Sequence, residues 1–239
     1  MFENPYYNGI IKQVIVGFGA LFSNVKLVRY DSAGTLQQTI NVPLAYAPKE
    51  HWVTRTDQDP DLENNIYSTL PRMSFEISGY NYDPTRMVNR NHKVAYKSPT
   101  INNTVPAPVP YNIDINMYVL TKGTEDGLCL IEQILPIFSP EYTLNFTALP
   151  AMNINQEVPI VLNSVSVEDS YEGDFTTRRL VTHTLNFTAK ANLYMGVTVG
   201  KIITNVTANL DTQTLAAGQE KYAATGNPST GTVTTDHWL

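Results

Sequence analysis

The sequence predicts an α+β fold. Segments of strand length with period-two alternation recur seven or so times, and helical patterns are inserted among them without a regular βα series. Size supports a real core: a compact chain of 239 residues buries roughly 70% of its unfolded surface, enough to fold without disulfides or metal. That length admits one large domain or two small ones.

The first element reads as a helix. Asn4 suits a cap and Pro5 a first helical position, and Ile10, Ile11, Val14, Ile15, Phe18, Leu21 and Phe22 then recur at helical spacing. Gly17-Phe18-Gly19 inside this pattern has no third glycine in register, so helix packing explains it better than a nucleotide fingerprint. Val25 to Tyr30 and Leu36 to Tyr46 form a hairpin around Asp31-Ser32-Ala33-Gly34, with Gly34 free to take positive φ. Pro43 belongs at an edge or bulge.

A short helix is expected over Asp57 to Thr69, and Arg72 to Tyr82 alternates as a strand. The proline-punctuated stretch Asp83 to Pro110 reads as a long irregular connection, functional or pinned by partners. Tyr111 to Thr121 is a strand, and Thr124 then caps a helix to about Phe138 whose buried stripe is Leu128, Ile131, Ile134, Leu135 and Phe138. Strands follow near Tyr142 to Ala148, Val158 to Glu168 and Arg178 to Met195. The last is the clearest, with Val181, His183, Leu185, Phe187, Ala189, Ala191 and Leu193 on one face. From about Gly196 to Leu239 small polar residues dominate. Such a segment cannot bury enough to fold alone. It either folds back as a strand around Ile202 to Leu210 or is held by a neighbouring subunit, the second being favoured for its end.

Composition excludes several function classes. The formal charge is −6 and the cations are scattered, only Arg178-Arg179 being adjacent, whereas a nucleic-acid module needs clustered cations. The apolar stretch Ile10 to Phe22 is too short and interrupted for a membrane span, and no signal-peptide pattern precedes it. The reading is a soluble protein made in a cytoplasm. Cys129 is the one cysteine and lies in an apolar run, so it reads as a buried inert thiol.

No catalytic or cofactor motif stands out. Asp57-x-Asp59-x-Asp61 lacks the glycine and terminal glutamate of a calcium loop, and a capped helix start accounts for it. His51, His92, His183 and His237 have no metal-ligand spacing; His183, on an apolar strand face, reads as a satisfied core histidine. No cofactor or metal is expected. The candidate interface residues are Lys49, Glu50, His51 and Trp52, which set charge beside an aromatic, and Arg178 with Arg179, which follow the acidic loop Glu168 to Asp174.

Four ordered blocks carry a resemblance. They are Leu21-Phe22-Ser23-Asn24 with Val42 to His51; Leu70-Pro71-Arg72 with Tyr80-x-Tyr82; Glu132-Gln133-Ile134-Leu135-Pro136-x-Phe138-x-Pro140; and Pro159 to Leu162 with Glu172-Gly173-Asp174 and Arg178-Arg179. Together they resemble the tail-sheath stabiliser and completion family of T-even-type contractile-tailed phages, over roughly residues 1–195. Beyond Met195 the pattern is not followed.

The resemblance implies a tail-terminator-like fold, a mostly antiparallel sheet or partial barrel flanked by helices, in one domain over 1–195 with a C-terminal strand and extended arm over 196–239. It implies a homo-hexameric ring at the head-proximal end of the tail, assembled in the bacterial host cytoplasm. Its partners would be the tail terminator and sheath proteins and the neck protein of the head, with passive DNA contact in the channel and no membrane. The alternative is another tail or baseplate module that binds carbohydrate or protein. An enzyme is not expected.

Overall fold

A computed structural model describes residues 5–31, 34–48, 70–89, 91–97, 101–171, 179–201, 205–209, 221–227 and 232–238. The frame is a six-stranded sheet. Its members are β3 (Leu44–Tyr46), β4 (Arg72–Tyr82), β7 (Val109–Thr121), β8 (Glu141–Leu149), β9 (Ile154–Tyr171) and β10 (Arg179–Leu193), in the order β3-β4-β7-β10-β9-β8. All neighbours are antiparallel except β3 and β4. Helix α1 (Ile10–Phe22) touches both β8 and β3, the two opposite edges, so the sheet curls around it as a half-barrel that α1 plugs.

Alternation decides which face is dry. Register aligns Phe75 with Met117, Met117 with Leu185, Ile115 with Phe187, and Ile113 with Ala189 on the concave side. Against this surface α1 buries Ile10, Val14, Phe18 and Phe22 at helical spacing. The Phe18 ring lies 4.9 Å from Phe22, 5.0 Å from Phe75 and 5.2 Å from Phe187 between centroids. Phe138 closes the cluster 5.0 Å from Phe187. The two helix glycines let α1 approach: a β-carbon on Gly17 would lie 2.9 Å from Leu144 Cδ1, and one on Gly19 3.4 Å from Phe75 Cζ.

The convex face is polar over most of its length; at one end Ser74, Tyr118, Leu120 and Thr182 are buried. Tyr118 donates to Glu76 at 3.0 Å, Asn186 to Ser164 at 2.9 Å, Asn163 to Thr188 at 2.7 Å and Thr188 to Asp114 at 3.0 Å. These short cross-strand bonds order the exposed part of the face.

Helix α2 (Thr124–Ile134) packs on the concave side, burying Gly127, Leu130, Ile131 and Ile134. Beside it runs the hairpin of β1 (Lys26–Tyr30) and β2 (Leu36–Asn41), whose turn holds Gly34 at φ 76°. One row of α2 side chains grips β1. Asp126 accepts from Arg29 Nε at 3.1 Å and from its second nitrogen at 2.7 Å, Cys129 Sγ donates to the Val28 carbonyl at 3.7 Å, and Gln133 donates to the Lys26 carbonyl at 3.0 Å. The Asp126 hydrogen bond raises the Arg29 pKa, holding the guanidinium charged.

Several expectations are corrected here. The first helix begins at Ile10, not at Pro5: Gly9 takes φ 70°, and Asn8 Nδ2 is held by the Tyr194 carbonyl at 2.8 Å, so the preceding segment is anchored outside the helix. The expected Asn4 cap lies outside the described residues. Leu36 to Tyr46 is not one strand. At Val42-Pro43 the chain leaves the hairpin and enters the main sheet, with Met73 N–H bonding the Pro43 carbonyl at 2.9 Å. The stripe of α2 is rotated: Leu128 and Leu135 face outward while Leu130 is buried. Its N-cap is Gly123, not Thr124. Its α-helical turn stops at Ile134 because Pro136 has no N–H to continue it. Cys129 is half-buried, not fully buried. The expected helix over 57–69, with Asp57, Asp59 and Asp61, lies outside the described residues.

The described part of 83–110 is held by the chain itself and much of it is strand. Asp83 accepts from Thr85 and from Arg86 Nε, which keeps its carboxyl well below the usual carboxylate range. Arg86 reaches on to Asn112 Oδ1 at 2.8 Å, fixing the start of the connection to β7. Strands β5 (Lys93–Lys97) and β6 (Ile101–Pro106) then pair, and β11 (Thr198–Lys201) adds to the other side of β6. Val105 packs with Leu149 and Met152 in a second small core, and Asn103 donates to the Ala151 carbonyl at 3.1 Å. Gly200 is required in β11, since a β-carbon there would lie 2.8 Å from the Asn102 carbonyl oxygen.

The segment after Met195 therefore folds back on β6 already before Ile202, and residues 205–209 form the strand expected around Ile202 to Leu210, paired within the terminal segment. Its end is a three-stranded antiparallel meander of β12 (Asn205–Asn209), β13 (Lys221–Asn227) and β14 (Thr232–Trp238). Among the described residues this meander pairs with no strand of the other sheets.

Candidate interaction surfaces

Of the residues singled out in the sequence, Lys49, Glu50, His51, Trp52 and Arg178 lie outside the described residues. Arg179 opens β10 opposite Tyr171. The structure thus leaves that interface reading where the sequence put it, and it directs attention to surfaces the sequence reading missed.

The first is the outward side of the two helices. Along α1, Lys12, Val16 and Ala20 are exposed one turn apart. Along α2, Leu128, Glu132 and Leu135 are exposed in the same way. Val16 is 61% exposed, Leu128 58% and Leu135 41%, and Ile137 in the turn that follows α2 is also exposed. An outward apolar row of this kind marks a candidate contact surface. The signal was legible, because α2 carries more large apolar residues than one stripe holds. Periodicity alone assigned Leu128 and Leu135 to the core.

The second is the outer backbone edge of β8. It terminates the main sheet, and residues 141–147 carry no proline or lysine. The third is tyrosine-rich: Tyr80 and Tyr82 on β4 are exposed, and Tyr82 meets Tyr111 edge-on at 5.8 Å. A shallow cleft lined by Gly19, Ser23, Asn41, Val42, Pro43, Leu44 and Phe75 lies where β2 gives way to β3. Its single aromatic does not make the stacking platform that a sugar ring takes.

His183 was expected to be a satisfied core histidine. It is in the core, on β10 between Val119 and Val167 and beneath Gly127, but neither ring nitrogen has a hydrogen-bond partner in the structure. Burial lowers its pKa below the ordinary value. The folded state thus binds a proton less readily than the unfolded chain. Stability from this group is complete above the unfolded pKa of about 6.5 and drains away as pH falls below it. His183→Leu is expected to raise unfolding stability by about 1–3 kcal/mol by removing two unpaired polar atoms. It should also flatten the loss of stability between about pH 7 and pH 5. Urea melts across that range check both effects, and an unchanged slope would remove His183 from the account.

Among the described residues no group of His, Cys, Asp and Glu is placed to hold a metal, and no helix is long and apolar enough to cross a membrane. A curled sheet with a mostly polar outer face, exposed apolar residues on both helices and open strand edges suit a structural protein that works by contact. The chain belongs to the tail sheath stabiliser family of T4-like Myoviridae viruses, whose profile matches residues 5–238. It is 24% identical over 199 residues to the tail completion protein gp15 of Enterobacteria phage T4, covering 79% of this chain and 72% of that protein. It is a structural component of a contractile phage tail and not an enzyme. The match runs on through the segment after Met195, where the sequence blocks had ended, so the terminal strands belong to the family pattern too.

Proposed function

We propose that this protein forms a ring, a homo-hexamer, at the head-proximal end of the tail. There it caps the tube and sheath terminator, holds the sheath extended, and offers the surface on which the neck of the filled head docks. The observation that supports an assembly role most directly is the terminal meander β12–β14. It has few large apolar residues and pairs with no other strand of the described chain, and three strands without an apolar face are marginal in water. Contacts with a neighbouring subunit or an adjoining ring supply what it lacks. Residues 1–195 then act as the ring body and 196–239 as strand and arm.

The mechanism is differential binding. A ring that stabilises a metastable sheath binds the extended state more tightly than the contracted one. Head-to-tail closure uses two different patches per subunit. The interface set Lys49, Glu50, His51, Trp52, Arg178 and Arg179 remains assigned to contacts with sheath, terminator or neck proteins. The convex face, rich in uncharged Ser, Thr and Asn, suits a wall past which DNA slides with little binding. Assembly takes place in the host cytoplasm.

Removal of residues 211–239 tests the arm. The truncated protein is expected to lose retention on tails lacking the native protein, read by sedimentation, and to leave those tails unable to join heads. Intact ring formation and joining by the truncated chain would overturn the arm's role.

A further inference from the structure

We infer that the ring contact is made in part by the exposed row of α1 on one copy against the exposed row of α2 on the next. This rests on the ring reading above and names the two patches that reading requires.

Each row is incomplete alone. Lys12 stands one turn before Val16 on α1, and Glu132 stands one turn after Leu128 and one turn before Leu135 on α2. Neither Lys12 nor Glu132 has an ion-pair partner among the described residues. Opposing the two helices pairs the cation with the acid and sets Val16, one turn along, against one of the flanking leucines. Ala20, one further turn along α1, lets the backbones approach. The two rows differ in sign, cationic on α1 and acidic on α2, so each repels its own kind and attracts the other. That favours pairing unlike rows over like ones, and a head-to-tail contact that uses one such pairing is the kind that closes rings.

The occupant is therefore a second copy of this chain. A patch meant for an unrelated protein has no reason to be complementary to another patch of its own chain. The energy comes from the apolar residues, since Leu128, Leu135 and Val16 leave water together. The charges set polarity and exclude the reverse pairing.

Charge reversal tests it. Lys12→Glu and Glu132→Lys are both at exposed positions, and thermal melts of each variant are expected to match the wild type. Each alone is expected to weaken subunit assembly about tenfold or more, measured by native mass spectrometry or light scattering across concentration. The double variant K12E/E132K is expected to recover most of that loss. Single variants that form rings as well as the wild type overturn the helix contact while leaving the ring reading standing. Single variants that form rings but no longer stay on tails overturn the second copy as occupant and assign the rows to another tail protein. A wild-type chain that stays monomeric both alone and on tails overturns the ring reading and this inference with it.

Discussion

Replacing Phe18 by alanine is expected to cost about 3–5 kcal/mol of unfolding stability, the range for deleting a fully buried aromatic. Phe18 is fully buried at the point where α1 plugs the half-barrel, and its ring meets Phe22, Phe75 and Phe187 at once. The loss has two parts. One is the apolar surface returned to water. The other is a cavity walled by α1 and by two strands from different parts of the sheet, which cannot collapse together to fill it. Alanine suits a helix at least as well as phenylalanine, so local propensity does not contribute to the loss. Against a total of about 5–15 kcal/mol this is a large fraction. Urea titration of the isolated chain measures it, with Val16→Ala two residues away as the control. Val16 faces outward, and its replacement is expected to change stability by no more than about 0.5 kcal/mol. Equal losses at the two positions would contradict the placement of α1.

Gly127→Ala is the second large effect. Glycine inside a helix ordinarily gives up stability relative to alanine, about 1 kcal/mol, so propensity argues that the change should help. Packing reverses the sign. A β-carbon at this position would overlap His183 Nε2, lie 2.9 Å from His183 Cδ2 and sit 3.2 Å from Thr121 Oγ1. Thr121 is itself held by the Gly123 carbonyl at 3.0 Å, and the imidazole is enclosed by β7 and β9. Neither neighbour has room to give, and overpacking of this kind costs about 1–3 kcal/mol. The same geometry supplies the check. With His183→Ala in place the methyl group has space, so the double variant is expected to lose less than the two single losses added together, by about 0.5 kcal/mol or more. Strict additivity would show that Gly127 and His183 do not compete for the same volume.

Both effects belong to contacts between residues far apart in sequence, and this marks the boundary of what the sequence reading reached. Period-two alternation was enough to find β4, β7 and β10, because one face of each lies on the core while the other is polar or exposed over most of its length. The i, i+3, i+4 spacing found α1 for the corresponding reason, although its start was displaced by Gly9. Periodicity failed on α2, where apolar residues lie on opposite sides. There, the grip of Asp126, Cys129 and Gln133 on β1 decided which row turned inward. It failed on 83–110, because β5 and β6 are short and gain their order from β11, which arrives from nearly a hundred residues further along.

The candidate surfaces divide in the same way. Charged and aromatic clusters such as Lys49 to Trp52 stand out in sequence because they are local. The proposed match of Lys12 with Glu132 does not, because the two residues become comparable only once both helices are laid on one sheet. By itself the sequence determined the α+β class, the absence of a membrane-spanning pattern and, through its ordered blocks, the family. Tertiary structure alone decided that the sheet curls around α1, that His183 lies unpaired beneath Gly127, and that Leu128 and Leu135 face outward. Each of these depends on the relative placement of distant segments, which hydrophobic periodicity constrains only to a face and never to a partner.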